Sequence, residues 1–552
     1  TVNVKIGVEL INWSGNFWED VKNKDVPKFI PGLILFSQLA FTSIIAGTYR
    51  TFFSQLLQVR WRTWLTEKYA TRYFSENRFY HLEQIHGQDN PDQRIAEDLN
   101  KFTDLVVGST YTSGGLFFGF YLAALSVYEY SKVMLKLSGD LDTTVFGYAI
   151  HIPFYMFWTV VLYTILGSLA IHLIGRRLVK INVLRERYNA DFRYHLIRAR
   201  EYAEGISFLQ GEAHHLRGAR HFFTVIRANW YHYMWRIKYL SFAQSIYGQA
   251  GIIFPVIVAV PRYFSGAINF GGVMQVLRAF GELRDALSWF IDNYSTWAEL
   301  RGSSTRIFNL DNDLNRVDGV QAKSELHVVE NNVGGVALTH AMLARPQKNT
   351  QGQLLGIPQV VGLDWQISSG DRWLVTGASG SGKSTILRAI ADLWPFGEGR
   401  IDVPTKGKML FLPQRPYMPV GTLREALSYP DAPTRFNTAA YETALEMSRL
   451  AHLSARLDEQ NSWAWLLSGG EQQRLSFARL FLQRPQYVFL DEATSALDEE
   501  NELSLYRTML EFLPDMTLVS VSHHPQLRTF HQHNLHLESN GTGGFRAVKS
   551  II

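Results

Sequence analysis

Gly377-Ala378-Ser379-Gly380-Ser381-Gly382-Lys383-Ser384-Thr385 carries the spacing G-x-x-x-x-G-K-[ST]. An apolar strand-like run, Trp373–Thr376, leads into it, and a helical run, Ile386–Ala391, follows. Each residue type in that order has a physical task. The glycines let backbone N–H groups turn inward on phosphate oxygens, and the helix N-terminus adds partial positive charge. Lys383 is placed to reach the β- and γ-phosphates, and the Ser384 hydroxyl to ligate Mg2+. The pattern predicts a nucleotide cradle over 377–385.

A second constellation lies at Tyr487-Val488-Phe489-Leu490-Asp491-Glu492. An apolar strand ending in two acids delivers both carboxylates to the carboxyl edge of a sheet, where open α/β sheets bind ligands. Asp491 is expected in the Mg2+ shell, and Glu492 as the general base that polarises an attacking water. Alone, such a pair is an ordinary solvated strand end. Downstream of a phosphate cradle it reads as the second half of one site.

These residues need a scaffold, and the chain of 552 residues offers two unlike halves. Charged residues are only 19% and aromatics 13%, which excludes wholesale disorder. Cysteine is absent, which excludes disulfides, zinc–thiolate sites, iron–sulfur clusters and a cysteine nucleophile. A net charge of +4 gives no case for nucleic acid. Residues 1–305 hold long apolar stretches: Phe29–Thr48, Leu105–Tyr128, Ile150–Leu173, Leu240–Val260 closed by Pro261, and an amphipathic Ile268–Leu300 bearing Arg278, Glu282, Arg284 and Asp285. Each is long enough to cross a hydrocarbon core of ~30 Å. Residues 4–18 read as the outer end of an earlier, incomplete span, giving six in all. Basic segments follow the first complete span (Arg50, Arg60, Arg62, Lys68, Arg72) and the third (Arg176 to Arg198), which places both in the cytoplasm. They are long enough to be helices continuing beyond the bilayer. Residues 306–330 turn polar and read as a linker. Within 331–552 the runs Val361–Ser368, Trp373–Thr376, Lys408–Leu412, Tyr487–Leu490 and Thr517–Ser520 alternate with helix-length segments, which predicts an α/β domain with a largely parallel sheet.

Leu467-Ser468-Gly469-Gly470-Glu471-Gln472-Gln473-Arg474 lies shortly before the acidic strand. With the cradle and that strand in order, it resembles the signature motif of ABC-transporter ATPases. The resemblance implies a transmembrane bundle of the exporter type fused to a P-loop ATPase, with ATP and Mg2+ as its ligands. It assigns Gln414, in Leu412-Pro413-Gln414, to the Q-loop and the Mg2+ shell. It assigns Asp498, in Ser495-Ala496-Leu497-Asp498, to the D-loop, and His523 to the switch histidine. It also implies that Ser468, Gly469, Gly470 and Glu471 of one copy close over ATP bound to the other. One cradle and one signature per chain call for a second copy, a homodimer. The family usually stacks adenine on an aromatic before the first strand. Here Leu343-Ala344-Arg345-Pro346 has no such ring, so either Arg345 stacks or the base is weakly held.

Asn90–Asp98, Ala203–Phe208 and Arg60–Leu65 in the membrane half resemble the subfamily D transporters and the bacterial BacA/SbmA-related proteins. The resemblance makes the first two segments candidates for docking on the ATPase. It implies a multi-pass protein of the bacterial inner membrane, in contact with lipid, taking up a bulky hydrophilic solute such as cobalamin or a peptide. The alternatives are an acyl-CoA or other amphipathic lipid, or export. A soluble ATPase of translation or repair is opposed by the uncharged spans. His81, His86, His214 and His215 read as surface histidines without a metal.

Overall fold

A computed structural model describes residues 2–86, 90–108, 115–145, 148–331, 334–348, 354–541 and 543–552. The chain divides into two compact units. One comprises Thr1–Arg72 and Asp89–Asp311, the other Tyr73–Gln88 and Asn312–Ile552.

The helices run α1 (Val2–Lys22), α2 (Val26–Phe74), α3 (Arg78–His86), α4 (Leu99–Val107), α5 (Leu116–Leu137), α6 (Tyr155–Glu201), α7 (Glu212–Phe264), α8 (Phe270–Asp292) and α9 (Tyr294–Ala322). A hairpin of β1 (Leu141–Val145) and β2 (Tyr148–Ile152) joins α5 to α6. α2, α6 and α7 are long and apolar enough to cross a membrane. Their 49, 47 and 53 residues are about 70–80 Å of helix at ~1.5 Å per residue, more than twice what a bilayer core needs.

α8 is the hub of the first unit, packing on α1, α5, α6 and α7. Its Val276, Ala279, Phe280 and Leu283 are fully buried with Ile11, Met134, Met156 and Val160. α1 approaches so closely that a Cβ on Gly271 would lie 2.1 Å from the Gly15 carbonyl oxygen. That contact exposes no unpaired donor, because the Gly271 N–H donates to Glu19 Oε2 at 3.0 Å.

Several spans differ from their sequence expectation. The stretch Leu105–Tyr128 is not one helix. α4 ends at Val107, Gly108 takes a φ of 89°, and α5 begins at Leu116. Gly108 suits that reversal because only glycine adopts it without strain. Ile150 belongs to β2, so the third span starts at Tyr155. Pro261 does not close the fourth span, because α7 runs through Pro255 and Pro261 to Phe264. The fifth candidate breaks between Asp292 and Tyr294 into α8 and α9.

In Asn90–Asp98, the carboxylate of Asp98 is buried within the first unit. It accepts from Arg306 Nε at 2.8 Å and Arg94 Nη1 at 3.1 Å. α3 instead belongs to the second unit. His81 is buried there rather than at the surface, its Nδ1 without a partner among the described residues, and burial pulls its pKa down against the opposing pull of Asp392. His86 lies on α3 with its side chain outside the described set.

The second unit is built on a ten-stranded sheet. Its strands are β3 (Glu325–Glu330), β4 (Gly335–Lys348), β5 (Leu354–Ser368), β6 (Arg372–Gly377), β7 (Gly397–Val403), β8 (Met409–Leu412), β9 (Tyr487–Asp491), β10 (Thr517–Val521), β11 (His533–Ser539) and β12 (Phe545–Ile551). The order is β3-β7-β4-β5-β12-β11-β6-β10-β9-β8. β11, β6, β10, β9 and β8 are mutually parallel, and antiparallel β4–β5 and β4–β7 pairs form the wing. β10 is buried throughout and β9 up to its final residue, Asp491, as strands covered on both faces must be. The helices that serve the site are α10 (Lys383–Ile390), α11 (Gly469–Gln483) and α12 (Glu499–Phe512).

Candidate active site

β6 ends in the cradle and α10 begins at Lys383. Two glycines are required by the turn. Gly380 has a φ of 78° and Gly382 a φ of 102°. A Cβ on Gly382 would lie 2.6 Å from Val360 Cγ2, so both the backbone and the packing exclude a side chain. Lys383 Nζ donates to the Gly377 and Ala378 carbonyls, each at 3.0 Å. Burial draws the Lys383 pKa down, opposed by Glu492 and Asp491. The Ser381 hydroxyl is fully buried and has no partner among the described residues. A buried ammonium and an orphaned hydroxyl beside a helix N-terminus suit phosphate oxygens. Ala378, Ser379 and Gly380 form the exposed rim, and Thr385 Oγ1 donates to Gln359 Oε1 at 3.3 Å.

Three neighbouring parallel strands, β8, β9 and β10, bring the rest together at their carboxyl ends. Ser384 Oγ donates to Asp491 Oδ1 at 2.8 Å, a hydroxyl–carboxylate pair of the hard oxygen donors that Mg2+ prefers. Burial pushes the Asp491 pKa up, although the Ser384 bond resists it. Glu492 follows in the left-handed region at a φ of 51°, a conformation a non-glycine residue holds only under constraint. Gln414, after β8, donates from Nε2 to Glu492 Oε2 at 2.9 Å. His523, after β10, places Nε2 3.5 Å from Glu492 Oε1. Gln414 therefore contacts Glu492, not Ser384 or Asp491.

The signature opens α11. Ser468 Oγ accepts from the Glu471 N–H at 3.3 Å, and Glu471 Oε2 accepts from the Ser468 N–H at 2.9 Å, a reciprocal capping box. The Ser468 N–H and hydroxyl hold the Glu471 carboxyl below the ordinary range. Among the described residues no hydrogen bond joins Ser468, Gly469 or Gly470 to the 377–385 loop. Asp498 caps α12, accepting from the Asn501 N–H at 2.7 Å, and that bond lowers its pKa. Arg345 sits exposed on β4 opposite Ile357, without a hydrogen bond to the loop.

Three residues that sequence reasoning passed over tie the motifs together. Gln473 donates to the Gln414 carbonyl and to Ser495 Oγ, both at 3.2 Å, and accepts from the Ala496 N–H at 2.9 Å. It was visible only as a letter of the signature. Gln359 Nε2 donates to the Gly380 carbonyl at 2.9 Å and so braces the rim. Glu502, 1% exposed, accepts from Thr494 Oγ1 at 2.6 Å and meets His524 Nδ1 at 2.8 Å.

The fold and this site define a membrane-embedded ATPase. Residues 1–264 match the family described as ABC transporter transmembrane region 2, and residues 360–495 match the ABC transporter family. The chain is 31% identical to the inner membrane ABC transporter ATP-binding protein YddA of Escherichia coli, over 95% of this chain and 89% of that one. It is 29% identical to the human lysosomal cobalamin transporter ABCD4, over 96% and 88% of the two chains. Its fold is similar to a bacterial Atm1-family ABC exporter with ATP bound, with a TM-score of 0.72 at 16% identity, covering 98% and 92%.

The chain belongs to the ABC transporters, as a half-transporter of the subfamily D type that couples ATP hydrolysis to transport. Half-transporters of this kind dimerise.

Proposed function

We propose that two copies of this chain form a homodimer in the bacterial inner membrane, with the ATPase units in the cytoplasm. Each 377–385 loop binds ATP, and Ser468, Gly469 and Gly470 of the other copy close over it. Glu492 takes the proton of the attacking water, while Gln414 and His523 hold its two carboxylate oxygens in position. Mg2+, held by Ser384 and Asp491 with Gln414 nearby, would neutralise charge on the phosphates. The observation that carries this reading is the convergence of Gln414 and His523 on one strained glutamate beside the Ser384–Asp491 pair.

Closure of the ATPase pair would drive the long cytoplasmic helices. Phe208 and Leu209, 80% and 84% exposed, form an apolar tip that this chain leaves uncovered. They would dock on the partner's ATPase unit.

The cargo reading is uptake of a bulky solute, cobalamin- or peptide-like. A relative carrying cobalamin supports it. One observation favours an amphipathic cargo instead: a cavity of about 510 Å³ between α6 and α7, with Leu162, Leu166 and Ile246 open on its apolar side. Uptake of labelled cobalamin, peptide and acyl-CoA into deletion cells carrying either the wild-type chain or Lys383→Ala tests the reading. ATP-dependent uptake of one cargo, lost in the variant, supports it. Equal uptake by both chains rejects it.

A further inference from the structure

The apolar cavity between α6 and α7 does not stand alone. Tyr247 also lines a second cavity of about 230 Å³, where Ser168, Gln244, Arg284, Ser288 and Asp292 supply polar groups from α6, α7 and α8. Tyr163 stacks on Tyr247 at 4.8 Å and on Phe254 at 5.0 Å, which builds an aromatic wall at the junction.

Two glycines shape this place. A Cβ on Gly167 would lie 2.0 Å from the Tyr247 ring, and one on Gly251 would lie 2.5 Å from Arg284 Nη1. The ring and the guanidinium therefore fit only because both helices are bare there. The hydroxyls of Ser288, 8% exposed, and Tyr247 are buried against one another.

The charges set the sign. Arg284 pairs with its neighbour Asp285 at 2.7 Å and is neutralised by it. Asp292 has no ion pair among the described residues and lines both this cavity and the adjoining one that holds His172 and Arg176. Asp292 shares one cavity with the Tyr247 ring and the other with Arg176 and His172, and a carboxylate beside an aromatic ring can receive an organic cation.

We propose that this groove between α6, α7 and α8 is a cargo site for an amphipathic organic cation. Its positive group would meet Asp292 and the Tyr247 face, and its apolar body would lie along Leu162, Leu166 and Phe254. The role as a cargo site rests on the transport reading above; the ligand chemistry does not.

The test measures binding of radiolabelled tetraphenylphosphonium to the full chain in nanodiscs without nucleotide, corrected for empty nanodiscs. Tetraphenylborate, of similar shape and opposite charge, is the control. Saturable binding of the cation alone is expected. Asp292→Asn should weaken it roughly tenfold, the worth of one charge-assisted contact. Asp292→Glu should restore it, which separates loss of charge from misfolding. Lys383→Ala should bind as well as wild type, so failure of transport leaves this result standing. Equal binding of the anion, or no change in Asp292→Asn, overturns the proposal.

Discussion

His524 Nδ1 lies 2.8 Å from Oε2 of the buried Glu502, which also takes the Thr494 hydroxyl. The pair links two places that matter. His524 follows His523, and Thr494 sits two residues beyond Glu492. In the proposed mechanism Glu502 is thus a positioning residue behind both His523 and Glu492. Glu502→Gln should lower kcat several-fold with little change in KM for ATP, because nothing in the cradle is touched. Steady-state ATPase assays in nanodiscs separate the two parameters. A change confined to KM would place Glu502 elsewhere in the mechanism.

Gln473 joins three motifs through one amide. Gln473→Ala removes bonds to Gln414, Ser495 and Ala496 together, and a buried partner left unpaired costs about 1–3 kcal/mol. ATPase activity should fall at saturating ATP, with thermal unfolding of the ATPase unit shifted down. Gln473→Glu, which keeps the acceptor and loses the donor, should retain the Ala496 bond and show a smaller shift.

Gly382→Ala tests the cradle's shape without altering its charge. The new methyl would meet Val360 at 2.6 Å on a backbone with a φ of 102°. ATP binding should weaken by at least tenfold, read by displacement of a fluorescent ATP analogue. Unchanged affinity would mean that the loop's observed path is not needed for binding.

His531 gives the ATPase unit a pH dependence with a definite sign. Burial draws its pKa down to about 4. Its Nδ1 must carry the proton, since it lies 2.7 Å from the Leu527 carbonyl, leaving Nε2 to accept from Ser520 Oγ at 2.9 Å. An unfolded histidine titrates near ~6.5. Between that pH and about 4 the unfolded chain binds a proton that the folded one refuses, so stability falls as pH falls through this window. Above ~6.5 this contribution is flat. Thermal unfolding at pH 7.5, 6 and 5 should show the decline, at up to ~1.4 kcal/mol per pH unit. His531→Gln should reduce the slope.

The cradle, the acidic strand and the signature were legible because each is contiguous and each carries its own local geometry. Gly380 and Gly382 announce the turn, and Ser468 with Glu471 announces a helix start. The sheet's core strands were legible for the same reason, being short apolar runs between turns. What escaped depends on contacts distant in sequence. His81 looks like a surface residue until α3 is placed in the ATPase unit. Nothing in the local sequence pairs Asp98 with Arg306, more than two hundred residues later. Gly108 breaks an apolar run that composition alone treats as one span, and Pro261 fails to end a helix whose other bonds hold. Gln359, Gln473 and Glu502 act through partners that no motif spacing encodes.

The central claim is that ATP joins two copies of this chain and that Glu492 ends the union. Glu492→Gln in nanodiscs with ATP and Mg2+ tests it most directly, by counting chains per particle and measuring retained nucleotide. The account predicts a stable pair holding unhydrolysed ATP, with turnover reduced at least a hundredfold, as expected for loss of a general base. Single chains, or turnover equal to wild type, would contradict it.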